Sequence, residues 1–362
     1  MHRRFLVTGG AGFIGSALVR HLMAAEAPAE LLVIDKLTYA STRTSLESVE
    51  KRPGFHFLRA DVADEQAMQD AVKALAPECI IHLAAETHVD RSLETPGAFI
   101  RTNVMGTYAM LVAAHTYWSA LPRDQGRKFR FIHVSTDEVF GALGQTGQFN
   151  EASAYQPNSP YSASKAGSDH LVRAWWHSYG LPTIITNCSN NYGPFQFPEK
   201  LIPRMILAGL AGETMPIYGN GQNVRDWLHV EDHVTALTLV AKAGQPGETY
   251  CIGGDCERPN LDIVGQIARH LDVLRPDPAG THARLMRFVE DRPGHDWRYA
   301  IDARKLRETL GWRPSRDFET GLAETVRWYL DHPAWVEMAR AQAALFGASE
   351  RRAADINDQF AR

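Results

Sequence analysis

The stretch Arg4-Phe-Leu-Val-Thr-Gly-Gly-Ala-Gly-Phe-Ile-Gly15 decides the fold. A short apolar run ends in a glycine-rich turn, and helical periodicity follows from Gly12 to Ala25. Gly9, Gly12 and Gly15 give G-x-x-G-x-x-G, a variant of the dinucleotide fingerprint. Glycine is needed there for a tight turn, for approach of a pyrophosphate to the backbone, and for packing of helix on strand. The free N–H groups of the helix N-terminus then face the phosphates. A glycine cluster alone marks any turn; here a strand precedes it, a helix follows, and Asp35 ends the next strand 20 residues past Gly15. That carboxylate accepts hydrogen bonds from a ribose and repels a 2′-phosphate, which selects NAD over NADP.

Outward from this turn the chain alternates strand and helix. Arg4–Thr8, Leu31–Asp35, Phe55–Leu58, Cys79–Leu83, Phe129–Ser135 and Thr183–Thr186 read as strands. Gln66–Leu75 and Tyr161–Tyr179 read as helices, and a long helix carries Ile100, Val104, Tyr108, Leu111 and Val112 on one stripe. Alternation at this pitch predicts an α/β, Rossmann-type doubly wound parallel sheet. After Asn187 the segments shorten and gain Pro, Gly and Asn, which marks a smaller lobe closing over the carboxyl ends of the strands. The expected division is a dinucleotide domain over 1–187, with a return at about 226–256, a lobe mainly over 188–330, and a helical tail over 331–362. Asp272–His282 reads as a polar surface loop, and the tail as an exposed helix with a frayed end.

The 362 residues suffice for two domains, and 44% apolar with 22% charged residues is ordinary globular composition. A net charge of −4 without a long basic run argues against nucleic acid. No segment approaches the roughly 20 apolar residues of a membrane span. The apolar run behind Met1-His-Arg-Arg is too short for a signal peptide. Cys79, Cys188, Cys251 and Cys256 form no Cys-x-x-Cys pair and read as reduced core thiols of a cytoplasmic protein.

Tyr161-Ser-Ala-Ser-Lys165 places a tyrosine and a lysine on one helical face. An ammonium beside the phenol lowers its pKa from about 10 and makes it a base for a sugar alcohol that is losing hydride. The preceding strand ends in Ser135-Thr-Asp-Glu-Val139. Thr136 could bond a substrate hydroxyl. Asp137 and Glu138 would ordinarily cap a helix, but here they fall at the strand end where the pocket must be. Two carboxylates in different environments can serve as one acid and one base. Asp61, placed at the end of the third strand, could reach an adenine or simply form a turn.

These segments resemble the nucleotide-sugar members of the extended short-chain dehydrogenase/reductase family, and more closely its 4,6-dehydratase branch. The resemblance runs from Phe5 to about Tyr329. It rests on Ala84-Ala-Glu-Thr-His-Val-Asp-Arg-Ser92, Ser135–Gly141, Ser159–Lys165, Asn187-Cys-Ser-Asn-Asn-Tyr-Gly-Pro194, Phe197–Pro203, Arg225–Asp232 and Asp291-Arg-Pro-Gly-His295. It implies a lyase with tightly bound NAD that converts dTDP-glucose to dTDP-4-dehydro-6-deoxyglucose, for deoxysugars such as rhamnose. Tyr161 would deprotonate the C4 hydroxyl as C4 hydride leaves, Glu138 would take the C5 proton, Asp137 would protonate the departing C6 hydroxyl, and hydride would return to C6. Dehydration of another NDP-hexose and 4-epimerisation are the alternatives. An epimerase has no oxygen to expel, so the acidic pair speaks against it, and a non-catalytic NAD sensor has no need of Tyr161, Lys165 and both carboxylates.

The resemblance also implies a site. For NAD it gives Gly9, Gly12, Phe13, Ile14, Gly15, Asp35, Lys36, Leu37, Thr38, Asp61, Val62, Leu83, Ala84, Ala85, Thr102, Tyr161, Lys165 and Asn191. For the sugar and its phosphates it gives Thr87, Thr136 and Asn190. For the nucleotide end it gives Lys200, Leu201, Pro216, Ile217, Tyr218, Arg225, Asn260, Asp291, Arg292 and His295, with the Arg225 guanidinium matched to a diphosphate. A homodimer through the long helix and helix 161–179 is implied as well. The chain departs from the family pattern at Ser41-Thr42, where Gly-Asn is usual, and at Phe140, where a tyrosine hydroxyl would stand at the pocket edge. In the tail, Phe346 is the one weak counterpart of a nucleobase-contacting tyrosine. His82, His88 and Asp90 lie close in sequence, but strand alternation does not converge them, and no metal is expected.

Overall fold

The computed structural model describes residues 2–291 and 294–342. The apolar runs form strands β1 (Arg4–Thr8), β2 (Glu30–Asp35), β3 (Phe55–Arg59), β4 (Cys79–His82), β5 (Arg130–Thr136), β6 (Thr183–Cys188) and β10 (Thr249–Ile252). They make one seven-stranded sheet in the order β10-β6-β5-β4-β1-β2-β3. Every pair in it is parallel. Alternation within each strand divides the core. Phe5, Val7, Cys79, Ile81, Ile132 and Val134 point to one face, and Leu6, Ile80 and Phe131 to the other. The first face is covered by α1 (Phe13–His21) and α6 (Val230–Ala243), the second by α2 (Glu65–Leu75), α3 (Gly106–Ser119) and α4 (Pro160–Tyr179). Parallel strands buried on both faces need no polar side, so they read as continuous apolar runs.

The strand order reverses between β1 and β4, and their carboxyl ends splay to opposite sides, which opens a crevice at this switch point. Over it lie β7 (Asn190–Tyr192), β9 (Val224–His229) and β11 (Glu257–Pro259) in a three-stranded sheet, and β8 (Met215–Tyr218) paired with β12 (Met286–Val289). Helices α5 (Leu201–Leu210), α7 (Asn260–Leu274) and α8 (Phe318–Asp331) close a separate core around Ile206, Ile263, Ile267, Leu271, Leu322 and Val326.

Four expectations are corrected. Ile100 of the anticipated stripe is 49% exposed; Leu111 of that stripe is core, and it is joined on the sheet-facing side of α3 by Met110 and Ala114. Asp272–Leu274 belong to α7, whose buried face, ending at Leu271, carries the helix into the anticipated loop. The tail helix over 333–342 is not an exposed one. It buries Trp335, Val336 and Ala339 in the second core, and Gln342 donates to the carbonyls of Thr38 and Ser41, both at 2.6 Å. Phe140 packs on Phe149 and Tyr155 and is only 3% exposed, so its para position faces core and not the pocket edge.

Candidate active site

The crevice is a cleft of about 290 Å³ that opens to solvent and runs from the glycine turn to Lys200. One end is the glycine turn. Gly9 has φ +67°, and a Cβ there would come within 2.7 Å of the Ala84 nitrogen. At Gly15 a Cβ would lie 2.1 Å from the Gly9 carbonyl oxygen, so α1 could not sit against the turn. Gly12 borders the cleft, where a Cβ would meet only the Gly9 carbonyl oxygen, at 3.3 Å, and α1 begins at Phe13. Two glycines thus serve packing and one leaves backbone open to a ligand, which fits a pyrophosphate.

Asp35 is almost fully buried. Its carboxylate accepts from Ala11 N (2.9 Å), Leu37 N (2.8 Å) and Ser41 Oγ (2.8 Å). Burial raises its pKa against these three bonds. Two carboxylate oxygens offer about four lone-pair sites, so one acceptor position remains for a ribose hydroxyl. Ser41, the departure from the family pattern, is therefore the residue that anchors this carboxylate. Asp61 stands beyond the end of β3, not at it, with Oδ2 on Lys36 Nζ at 2.7 Å and Oδ1 accepting from Ala63 N. Burial pushes Asp61 up, but Lys36 outweighs it and the net pKa is lowered. It forms a turn and also borders the cleft.

At the other end β5 delivers Ser135 and Thr136, and a one-turn 3₁₀ helix presents Asp137 and Glu138. Thr136 caps that turn, accepting from Glu138 N at 3.2 Å and donating to Asp137 Oδ1 at 3.2 Å. Asp137 is 2% exposed and its Oδ2 has no partner. Burial, and then the charge of Glu138, push its carboxyl well above the ordinary 3.8 and favour the protonated form. Helix α4 starts with a Ser159–Ser162 capping box and Pro160 in its first turn, which fixes where Tyr161 and Lys165 emerge. Lys165 Nζ donates to the Val134 carbonyl at 2.9 Å. Burial lowers this ammonium below 10.5, and Asp169 counteracts. The expected lysine-lowered phenol is not what the protein alone provides. Burial and then the charge of Glu138 hold Tyr161 well above 10.

Every residue expected at the cofactor borders this cleft except Leu37, which instead turns the chain at φ +59°. Thr87, Thr136, Asn190 and Lys200 join them, with Lys200 Nζ reaching the Thr87 carbonyl at 3.0 Å. The remaining nucleotide-end residues lie outside its lining. Pro216, Ile217 and Tyr218 are in β8, Leu201 begins α5 and Asn260 begins α7. The Tyr218 and His295 rings are 6.4 Å apart, and His295 Nδ1 is 2.6 Å from Asp291 Oδ1. Arg225 is turned onto the carbonyls of Val224 (2.7 Å) and Asp296 (3.0 Å) and over the Tyr299 ring. Arg292 and Phe346 are outside the described residues. His82 bonds Thr8 and Thr107, and His88 caps the helix Val89–Glu94, so each has a structural task.

Sequence reasoning missed Ser189, Gln196 and Glu199. Each borders the cleft and, like Asn190 Oδ1 and Asp137 Oδ2, presents a buried oxygen without a partner: Ser189 Oγ, Gln196 Oε1 and Glu199 Oε1. Buried oxygens are normally bonded, so a cluster of orphans in one cleft is matched to a hydroxyl-rich ligand. Beneath the cleft Asp169 accepts from Ser135 Oγ (2.9 Å), Tyr155 OH (2.8 Å) and Asn187 Nδ2 (3.3 Å), and its Oδ1 lies 3.1 Å from His133 Nε2. The Tyr161, Lys165, Asp169 spacing, one turn each, was the signal available for it.

Comparison with known proteins gives concordant results. Residues 6–325 match the family described as GDP-mannose 4,6 dehydratase. A dTDP-glucose 4,6-dehydratase of Escherichia coli is 52% identical over 344 residues, covering 92% of this chain and 95% of that one. A dTDP-glucose 4,6-dehydratase of Streptomyces venezuelae, solved with NAD bound, superposes with a TM-score of 0.84 at 45% identity, over 93% of this chain and 99% of that one. A UDP-glucose 4-epimerase of Thermus thermophilus in complex with NAD has a TM-score of 0.79 at 28% identity, over 90% and 99% of the two chains.

Proposed function

The chain belongs to the GDP-mannose 4,6 dehydratase family, and we propose that its cleft performs the NAD-dependent dehydration of dTDP-glucose to dTDP-4-dehydro-6-deoxyglucose. One observation carries this reading: the buried Asp137 carboxyl, its pKa raised by burial and by Glu138, stands beside Glu138 in the same cleft as Tyr161 and Lys165. A 4-epimerase of the same fold has no oxygen to expel and so no use for a buried acid.

Each residue then has one task. Tyr161 takes the C4 hydroxyl proton, with the Lys165 charge stabilising the phenolate. Bound NAD would supply reversible hydride acceptance between C4 and C6. Glu138 removes the C5 proton once C4 is a ketone, and Asp137 protonates the C6 hydroxyl so that it departs as water. The turn from Gly9 to Gly15 would hold the pyrophosphate, Asp35 the adenosine ribose and Asn191 the nicotinamide side. Asn190, Gln196 and Glu199 offer acceptors to sugar hydroxyls. Tyr218, Arg225, Asn260, Asp291 and His295 form the nucleotide end, and the charge of Arg225 is felt at Asp137.

The dinucleotide domain comprises 1–187 with α6 and β10, the rest of 188–330 is mainly substrate lobe, and the enzyme is cytoplasmic. No described helix is long and apolar enough to cross a membrane, and all four cysteines are free. Exposed Ile100 and Met105 leading into α3, and Tyr179 at the end of α4, suit a homodimer contact through these two helices.

Mass and NMR analysis after incubation with dTDP-glucose tests the reading. The expected product is lighter by one water, with a C4 ketone and a C6 methyl. Unchanged mass with an inverted C4 would make the protein an epimerase. No reaction with dTDP-glucose, but turnover of UDP- or CDP-glucose, would move the nucleotide preference alone.

A further inference from the structure

The tail helix over 333–342 bears on the cofactor end of the cleft. Trp335, Met338 and Gln342 are spaced i, i+3 and i+7, so they share one face. Each touches the loop that follows β2. Trp335 Nε1 donates to Ser45 Oγ at 3.2 Å, and Thr44 Oγ1 donates to Met338 Sδ at 3.9 Å. Gln342 Nε2 donates to the carbonyls of Thr38 and Ser41, both at 2.6 Å. Trp335, Val336 and Ala339 root the same helix in the second core, so it reaches the loop from a fixed base.

Thr38 and Ser41 are the two ends of a turn. The bond that closes it from within, Ser41 N to the Thr38 carbonyl, is long at 3.4 Å. An amide NH₂ has two protons, and Gln342 gives one to each end. The turn carries Ser41 Oγ, which donates to Asp35 Oδ1 at 2.8 Å, beside Leu37 N on the same oxygen at 2.8 Å. Ala11 N takes one site of Asp35 Oδ2 at 2.9 Å. The acceptor position left over is therefore on Oδ2, and Ser41 helps to fix the carboxylate plane that aims it. Thr38, Ala40 and Ser41 also line the cleft, whereas Gln342 does not.

Granted that NAD occupies the cleft with its adenosine ribose at Asp35, we propose that Gln342 is a positioning residue for the cofactor. It clamps the Thr38–Ser41 turn so that Ser41 holds Asp35 in its ribose-accepting orientation, and it thereby slows NAD release. The reaction assigned above leaves NAD oxidised at the end of every turnover, so the cofactor has no need to exchange. A clamp behind its adenosine end suits retention.

The test reads release of radiolabelled NAD from cofactor-loaded protein diluted into excess unlabelled NAD. Binding of dTDP to the same loaded protein is measured by isothermal titration. Gln342→Met keeps the length and the apolar stem without the NH₂ group. Gln342→Glu keeps the shape and turns an acceptor toward the two carbonyls. Both variants are expected to release NAD roughly 10-fold faster, the size of about one net hydrogen bond. Their affinity for dTDP should match wild type, which a general loss of fold would not allow. In a Ser41→Ala background Gln342→Met should add little, because two changes along one chain of contacts do not add. The clamp is overturned if the methionine variant keeps the wild-type release rate, if dTDP binding weakens in step with NAD retention, or if the effects of Ser41→Ala and Gln342→Met multiply in full. Asp35→Ala separates the clamp from its premise. Faster release from Asp35→Ala with none from Gln342→Met overturns the clamp alone. Unaltered release from Asp35→Ala overturns the placement of the ribose, and the clamp falls with it.

Discussion

Asp169→Asn removes the one negative charge beneath Lys165 while keeping side-chain shape. In the native protein the carboxylate is 1% exposed and serves the donors of Ser135, Tyr155 and Asn187, with His133 at its other oxygen. Burial alone would raise its pKa, yet His133 and Lys165 outweigh burial and hold it below 3.8. An amide has one acceptor oxygen where the carboxylate has two, so either His133 or the three donors face an NH₂ group. Removing one partner of a buried ionic network costs about 3–5 kcal/mol, and urea unfolding of the cofactor-loaded protein at neutral pH should read a loss of that order. Because the folded pKa is depressed, the stabilisation from Asp169 is present above pH 4 and fades as pH falls through the folded value; the deficit should therefore shrink in acid. Lys165 loses its counter-charge, so the alkaline limb of the kcat profile should move to lower pH. A variant within about 0.5 kcal/mol of wild type, with a superimposable pH profile, would refute this account.

Asp137→Asn combined with Glu138→Gln should keep C4 oxidation, which rests on Tyr161, and lose water elimination. Absorbance of reduced nicotinamide should accumulate with substrate, and release of normal 6-deoxy product would contradict the assignment of the pair. Gly15→Ala should abolish NAD binding, since its Cβ would overlap the Gly9 carbonyl; isothermal titration with NAD reads this directly. Stability should also fall as pH drops from about 6.5. Burial lowers His133 and His229 to about 4 and His233 to about 3. The unfolded chain therefore binds more protons across that window, and each such histidine withdraws about 3 kcal/mol. A melting temperature flat from pH 7 to 4.5 would contradict this.

The strands were legible because burial on both faces leaves runs such as Phe5-Leu-Val7 and Cys79-Ile-Ile81 unbroken by polar residues. The glycine turn, Asp35 and the Tyr161–Lys165 face were legible because their chemistry dictates residue type at fixed spacing. What stayed hidden depends on contacts between distant segments. Ile100 looks like core by periodicity, but no element packs over it. Trp335 sits in a polar, Ala-rich tail and is buried because Phe195, Phe197, Trp328 and Tyr329 pack around its ring and Ser45 meets its N–H. Arg225 has the right chemistry for a diphosphate, and only coordinates reveal the carbonyls around it. Ser189, Gln196 and Glu199 lie in irregular backbone, where no period marks which side chain faces a ligand.

The parallel sheet has a consequence for how the chain comes to be folded. None of its ladders joins strands through a tight hairpin: Phe5 pairs with Cys79, and Ile185 with Thr249. Contacts this far apart in sequence are slow to form. Helix α1, which presents the glycine turn, packs against α6, and the outer side of β6 waits for β10. A nascent chain that has already emerged past Lys165 thus carries the whole fingerprint and the whole catalytic pair, yet exposes the apolar flank of α1 until residue 243 is free. The recognisable half of this protein therefore keeps part of its core uncovered until the segment from Val230 to Ile252 has been made.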